Sequence, residues 1–406
     1  MPIEARRFTG TMQDYGKVVD LAFGSSYDPA DDEAFQPFFS TYDVVGAYDG
    51  DRMVGGGALW RTTLTVPGGE VPASAVTAVG VLPTHRRRGA LTAMMRRQLD
   101  DVHASGDPLA MLWASEGGIY GRFGYGMATI NAVIEAERSR IAFRDPAPPS
   151  GTVRFVEADE AKRLLPALFE QVRDTRAGFF ARPEQYWGTE IFYDPPHRRR
   201  GGGPLLYVVH ETGGTDDGYA LYRINQDWGT RGPASVLNVY ELTGTTPQVH
   251  AELWQFVFGV DLIATVRARP QPPDAPLLRM VTEPRRLGMT LGDGMWLRLV
   301  DVAAALESRG YAGDGSVVIE LRDAFCEWNA GRWSLEAGPA GADVTRTKRD
   351  ADVALDVADL AALYLGGATF AALRAANRGE ELSEGGAARF DALFRTDLAP
   401  FCPLIF

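Results

Sequence analysis

The distribution of apolar and polar positions predicts a strand over residues 3–9 and a helix over residues 13–23, followed by an acidic turn region at residues 25–33. Apolar runs at residues 44–48 and 53–60 flank Asp49-Gly50-Asp51, and an Asp-Gly step between such runs signals a β-hairpin. A strand over residues 75–82 ends at Pro83. After Gly89, Leu91, Met94, Met95, Gln98, Leu99 and Val102 recur at helical spacing, and another apolar run occupies residues 109–114. The order strand, Arg/Gly loop, amphipathic helix, strand describes a βαβ-like unit in a mixed α/β fold.

The same order returns later, with a strand at residues 236–242 and a helix near residues 248–258. Its loop, Thr243-Gly244-Thr245-Thr246-Pro247, holds no cation to meet a pyrophosphate, so this second copy reads as a fold without the site. The stretch at 145–151, Asp-Pro-Ala-Pro-Pro-Ser-Gly, reads as a linker. A second Pro-rich stretch at 270–276 would suggest another cut on composition alone.

A chain of 406 residues splits into two or three domains. Its 41 Lys and Arg against 53 Asp and Glu give a formal charge of −12, a field that repels nucleic acid and favours cationic substrates. Cys326 and Cys402 form no disulfide framework and no metal-ligand spacing, which fits a reducing compartment. The start, Met1-Pro2-Ile3-Glu4-Ala5-Arg6-Arg7, lacks the apolar core of a secretory signal. No stretch approaches the roughly 18 apolar residues of a membrane span. A cytoplasmic protein with no metal is the expectation.

His85-Arg86-Arg87-Arg88-Gly89-Ala90 lies between the strand and the amphipathic helix, where backbone N–H groups and the helix dipole favour phosphate. The segment resembles the coenzyme-binding motif of the GNAT superfamily of N-acetyltransferases. Arg86 and Gly89 fit that motif, and Leu91 departs from it at the last position. Gly80, inside the preceding strand, marks either a bulge with close ligand approach or a packing position. The resemblance implies that Val79 and Val81 meet pantetheine and that Arg86, Arg87, Gly89 and Ser115 complete the acetyl-coenzyme A contacts. An identical His197-Arg198-Arg199-Arg200-Gly201 precedes a strand instead of a helix, among Pro195, Pro196, Gly202 and Gly203, and reads as an exposed loop.

Ser115-Glu116-Gly117-Gly118-Ile119-Tyr120-Gly121-Arg122-Phe123-Gly124-Tyr125-Gly126 is the most specific stretch. Together with the HRRRG loop it resembles the enhanced intracellular survival family of actinobacterial acetyltransferases, in which the loop motif ends on an apolar residue. Asp217-Gly218-Tyr219-Ala220-Leu221-Tyr222-Arg223, Met295-Trp296-Leu297-Arg298-Leu299, Val302-Ala303-Ala304-Ala305-Leu306-Glu307 and Leu363-Tyr364-Leu365-Gly366-Gly367 extend the likeness over nearly the whole chain. It implies an α/β chain of tandem GNAT folds, the second degenerate, followed by an α+β sterol-carrier-like domain. The boundaries are 1–144, 151–293 and 295–406, with the 270–276 prolines an internal loop.

The resemblance further implies acetyl-coenzyme A-dependent transfer to amines, either aminoglycoside-like polyamines or protein lysines, by a homo-hexamer. It makes Tyr120 the general acid and the terminal carboxylate on Phe406 the base. The end, Phe401-Cys402-Pro403-Leu404-Ile405-Phe406, is apolar enough to be buried. The neutral Ile405 departs from the acidic residue that the family can carry there. Asp28, Asp31, Asp32 and Glu33 read as a solvated loop or as an attractor of cations. The rival functions are a lipid-binding carrier built on the last domain and a non-catalytic effector.

Overall fold

The computed structural model describes residues 3–146, 148–230, 232–339 and 341–406. Met1 and Pro2 of the start, and Ala147 of the Pro-rich linker, lie outside the described residues. Two compact units emerge. One comprises residues up to Thr129 with Gly294–Asp397 and Ile405–Phe406, the other Ile130–Asp293 with Leu398–Leu404.

The first unit contains a seven-stranded sheet in the order β1 (Glu4–Arg7), β2 (Asp43–Asp49), β3 (Arg52–Val66), β4 (Gly69–Val81), β5 (Leu109–Trp113), β16 (Met295–Leu299) and β6 (Gly126–Met127). β2 and β3 form the hairpin that Asp-Gly signals, with Gly50 at φ +63°, a conformation glycine adopts without steric cost. Helix α1 (Met12–Ala22) opens on a capping box in which the Thr11 hydroxyl accepts from Asp14 N and the Asp14 carboxylate accepts from Thr11 N, each at 3.1 Å. Helix α3 (Ala90–Ser105) buries Met94, Met95, Gln98, Leu99 and Val102, the face read from their spacing.

The acidic stretch is more ordered than a turn. Asp28 caps a short 3-10 segment, Pro29–Asp31, and helix α2 (Asp32–Phe39) follows with Asp32 and Glu33 in its first turn, where the helix dipole favours carboxylates. Asp-Pro at 28–29 is the start signal that a reading by acidity alone passes over.

The remainder of this unit is a five-stranded sheet, β19 (Gly341–Arg346), β18 (Gly331–Gly338), β17 (Gly315–Arg322), β20 (Val353–Asp356) and β21 (Glu380–Glu381). Its helices are α8 (Val302–Glu307), α9 (Val357–Tyr364), α10 (Phe370–Ala375) and α11 (Gly386–Phe394). Helix α9 lies on β6 and β16. The approach is so close that a Cβ on Gly126 would sit 1.9 Å from the Ala358 carbonyl oxygen.

In the second unit, β15 (Thr290–Asp293), β7 (Ile130–Glu137), β14 (Ile263–Gln271), β13 (Ser235–Gly244), β10 (Thr215–Asn225), β9 (Leu206–Thr212) and β8 (Thr152–Val156) make another seven-stranded sheet. A small hairpin, β11 (Trp228–Gly229) with β12 (Gly232–Pro233), stands beside it, and the helices are α4 (Ala158–Arg173), α5 (Glu184–Tyr186), α6 (Pro247–Gly259) and α7 (Leu277–Met280). Trp254, Leu253 and Val257 of α6 bury against Val208, Leu237, Val239 and Val266 of the sheet. The prolines at 270–276 fall between β14 and α7.

Sheet membership does not follow the linear boundaries. Residues 130–137, read as part of a first domain ending at 144, pair with β14 and β15 in the second sheet. Met295–Leu299, read as the start of the last domain, pairs antiparallel with both β5 and β6 and closes the first sheet. Such pairing joins residues far apart in the chain, and local periodicity carries no trace of it.

Candidate active site

Strand β4 creates the site by parting from its neighbour. It pairs in parallel with β5 only from Ala73 to Ala75, against Leu109 to Met111, so residues 76–81 offer that edge of their backbone to an opening. On its other edge the register with β3 slips, since Thr77 faces Ala58 and Gly80 faces Gly56, leaving Ala78 and Val79 opposite Gly57 alone. Ala78 takes φ +50°, and its carbonyl accepts the Tyr15 hydroxyl at 2.8 Å. The bulge thus falls at Ala78–Val79. Gly80 serves packing, because a Cβ there would lie 2.9 Å from Ala22 Cβ of α1.

The Arg/Gly loop turns from β4 into α3. Arg87 and Gly89 lie at φ +61° and +86°, and no atom stands within 4 Å of where a Gly89 side chain would begin. No side chain caps α3, so the first N–H groups of a 16-residue helix face the opening with its positive dipole end. The three arginines differ in engagement. Arg86 donates to the Ala22 and Val81 carbonyls at 3.2 and 3.4 Å, fastening the end of α1 to the loop, and Arg88 pairs with Asp49 at 2.8 Å. Arg87 is exposed and has no partner among the described residues.

Val79, Val81, Arg86, Arg87, Gly89 and Ser115 all line one cavity of about 730 Å³, together with Phe23, Glu116 and Tyr120. A positive-φ glycine with open space beside it, an uncapped helix start and an unengaged guanidinium suit a phosphate-bearing group, and the unpaired edge of β4 suits an amide-bearing arm.

The Gly-rich stretch after β5 forms a 3-10 turn, Tyr120–Phe123, that ends on Gly124 at φ +83°. A Cβ on Gly124 would lie 2.6 Å from Nη1 of Arg298, a wholly buried β16 residue whose Nη2 donates to Asp323 at 2.5 Å. Tyr120 is only 5% exposed. Burial, then the nearby Glu116 charge, raises its pKa above the ordinary phenol value and keeps the hydroxyl protonated. Tyr125, 6.0 Å away between ring centroids, is buried with no partner for its hydroxyl among the described residues.

A second cavity, of about 350 Å³, is lined by Val76, Ala78, Trp113, Ile405 and Phe406, and shares Phe23, Val79, Ser115 and Tyr120 with the first. Tyr120 therefore borders both. The Phe406 ring meets Trp60 edge to face at 6.1 Å between centroids, which fixes the last residue inside the unit. Trp113, which the apolar run 109–114 hides from a sequence reading, presents a buried indole N–H without an acceptor among the described residues.

The duplicate HRRRG bends differently: its 3-10 turn, Pro196–Arg199, takes in the first three motif residues, and positive φ falls on Arg200 and Gly201, at +50° and +80°, where the first copy has it on Arg87 and Gly89. No helix follows it, and Arg199 is held by Asp194. Glu33 and Asp28 line neither cavity.

Residues 6–128 and 178–299 each match an acetyltransferase (GNAT) domain, and residues 302–403 match a sterol carrier protein domain. An uncharacterized N-acetyltransferase of Streptomyces avermitilis is 41% identical over 94% of both chains. N-acetyltransferase Eis of Mycobacterium tuberculosis is 36% identical over 87% of this chain and 86% of its own. The crystal structure of Eis1 from Mycobacterium abscessus superposes with TM-score 0.84 at 33% identity, covering 99% of this chain and all, 100%, of that one. A GCN5-related N-acetyltransferase from Anabaena variabilis gives TM-score 0.85 at 19% identity over 99% and 100% of the chains and shares the fold.

Proposed function

Since the chain belongs to the Eis family of GNAT N-acetyltransferases, we propose that it transfers acetyl from acetyl-coenzyme A to an amine acceptor, a small polyamine or a protein lysine, with Tyr120 as acid and the Phe406 carboxylate as base. One observation carries the reading: Tyr120 borders both cavities, with the Arg/Gly loop in one and the last residue in the other. Acetyl-coenzyme A, when bound, supplies the activated thioester.

The chain's own groups supply the rest. The backbone N–H groups at the start of α3 and the Arg87 guanidinium bind the phosphates, while Val79 and Val81 expose backbone to the pantetheine arm. Gly89 keeps the loop close to the phosphates, and Ser115 lines the junction with the acceptor cavity. Arg86 acts by holding the loop to α1. The Phe406 carboxylate takes a proton from the acceptor ammonium, and the Tyr120 Oη holds a proton to deliver to the departing sulfur. The reading includes a homo-hexamer in the cytoplasm. Among the described residues, no helix is long and apolar enough to cross a membrane.

Coenzyme A release measured with a panel of polyamines and lysine peptides tests the reading, with release expected for at least one amine and abolished when the chain is amidated at Phe406. Amidation keeps every side chain and removes one charge, so undiminished release would place the base elsewhere. No release with any amine would overturn the activity itself. Sedimentation velocity tests the hexamer.

A further inference from the structure

The second unit opens its sheet in the way the first does. β13 and β14 pair in parallel while Ser235–Val239 face Ile263–Ala268, then separate. Residues 240–247 and 270–272 line the resulting cleft of about 360 Å³. In the first sheet the corresponding opening is cationic at its mouth. Here it is closed to anions: the Thr246 hydroxyl caps α6 by accepting from Val249 N at 3.2 Å, and Pro247 at the first helical position has no N–H.

The charged groups lining the cleft are engaged elsewhere. Arg176 donates to the Ala399 carbonyl at 2.7 Å and pairs with Asp274, and Glu241 takes a bidentate pair from buried Arg182 at 2.7 and 3.0 Å. The lining is aromatic and apolar, with exposed Tyr240 and half-buried Phe179 offering ring surface in front of the buried Trp254 and Phe401.

One polar group stands out. The Trp254 indole N–H donates to His250 Nε2 at 3.1 Å, which assigns the ring proton of a neutral imidazole to Nδ1. His250 lines the cleft, and among the described residues its Nδ1 has no partner. Burial, then the charge of Arg176, pushes the imidazole down to about 4, so it is uncharged at neutral pH.

We propose that this cleft is a binding site for a small uncharged aromatic molecule carrying a hydrogen-bond acceptor, which stacks on Tyr240 and Phe179 and receives the His250 Nδ1–H. Aromatic walls with one fixed donor match the usual make-up of small-ligand sites. Among the described residues lining the cleft, Arg176 and Glu241 are already paired, which disfavours a charged ligand.

Quinoline, neutral at pH 7.5 and bearing a ring-nitrogen acceptor, is the probe, titrated into the full chain by calorimetry and saturation-transfer NMR with saturating coenzyme A present. Saturable binding is expected, weakened about tenfold or more by His250→Leu. Leu398→Trp fills the cleft from a half-exposed position and should remove binding without touching the Trp254–His250 bond. The proposal is overturned if quinoline shows no saturable binding, if coenzyme A displaces it, or if Leu398→Trp binds it as the unaltered chain does.

Discussion

Each arginine of the loop has a distinct burden, and substitution should separate them. Arg87→Ala removes an unengaged guanidinium and should weaken coenzyme A binding by about tenfold or more while leaving the melting temperature unchanged. Arg86→Ala should weaken binding and also lower the melting temperature, because the Ala22 and Val81 carbonyls lose their donor. Arg198→Ala, in the duplicate motif, should leave coenzyme A binding unchanged; calorimetry reads all three, and thermal melts the first two. Tyr120→Phe keeps the ring and should retain coenzyme A binding while turnover falls by about 10²-fold or more. Near-native turnover under conditions where chemistry limits the rate would remove Tyr120 as the acid. That the loop, Ser115 and Tyr120 line one cavity follows from segments that were each recognisable in the sequence. The placement of the bulge was not, since Ala78 is held at positive φ by a register slip against β3 and by Tyr15, neither of which leaves a mark on Ala78 itself.

Of the elements read from the sequence, α3 was legible because its buried residues recur at helical spacing on one face. Elements were misread where charge conceals a helix start, as with α2, and where a strand's partner lies far along the chain, as with β16. Two ties between elements are open to measurement. Buried His210 of β9 lies between Asp217 of β10 at 2.6 Å and Glu252 of α6 at 2.9 Å. Burial opposes its charge, but hydrogen bonds from the ring to both carboxylates outweigh burial and raise its pKa above 6.5. The stabilisation is therefore complete below the unfolded value of about 6.5 and is lost as pH rises through the higher folded value. Glu252, held down to about 2 despite its burial by bonds from Ser150, His210 and Gln248, loses its own contribution only in strong acid. Between pH 6 and pH 9 the second unit's urea midpoint should fall in the natural chain, and by visibly less in His210→Gln. The second tie is the seat of α9 on β6. Gly126→Ala places a methyl 1.9 Å from the Ala358 oxygen and 2.7 Å from Ala362 N, and should cost on the order of 3 kcal/mol in urea unfolding. Gly118→Ala meets nothing within 4 Å and should stay within about 0.5 kcal/mol.

At the scale of the whole molecule, the fold class was legible, while the exchange of strands across the linear boundaries was not. β16 lies between β5 and β6, so its residues separate two strands that the ribosome makes nearly together. Met295 follows Met127 by 168 residues (295 − 127), a delay of roughly 10–30 s at typical rates of synthesis. Throughout that interval β5 presents an unpaired edge, the kind of edge that recruits other chains. The nascent protein is thus most exposed to aggregation after its first sheet is mostly made and before its last third emerges. Holding that edge apart until Leu299 leaves the ribosome is a task for chaperones, and slow codons upstream of residue 295 would lengthen the hazard.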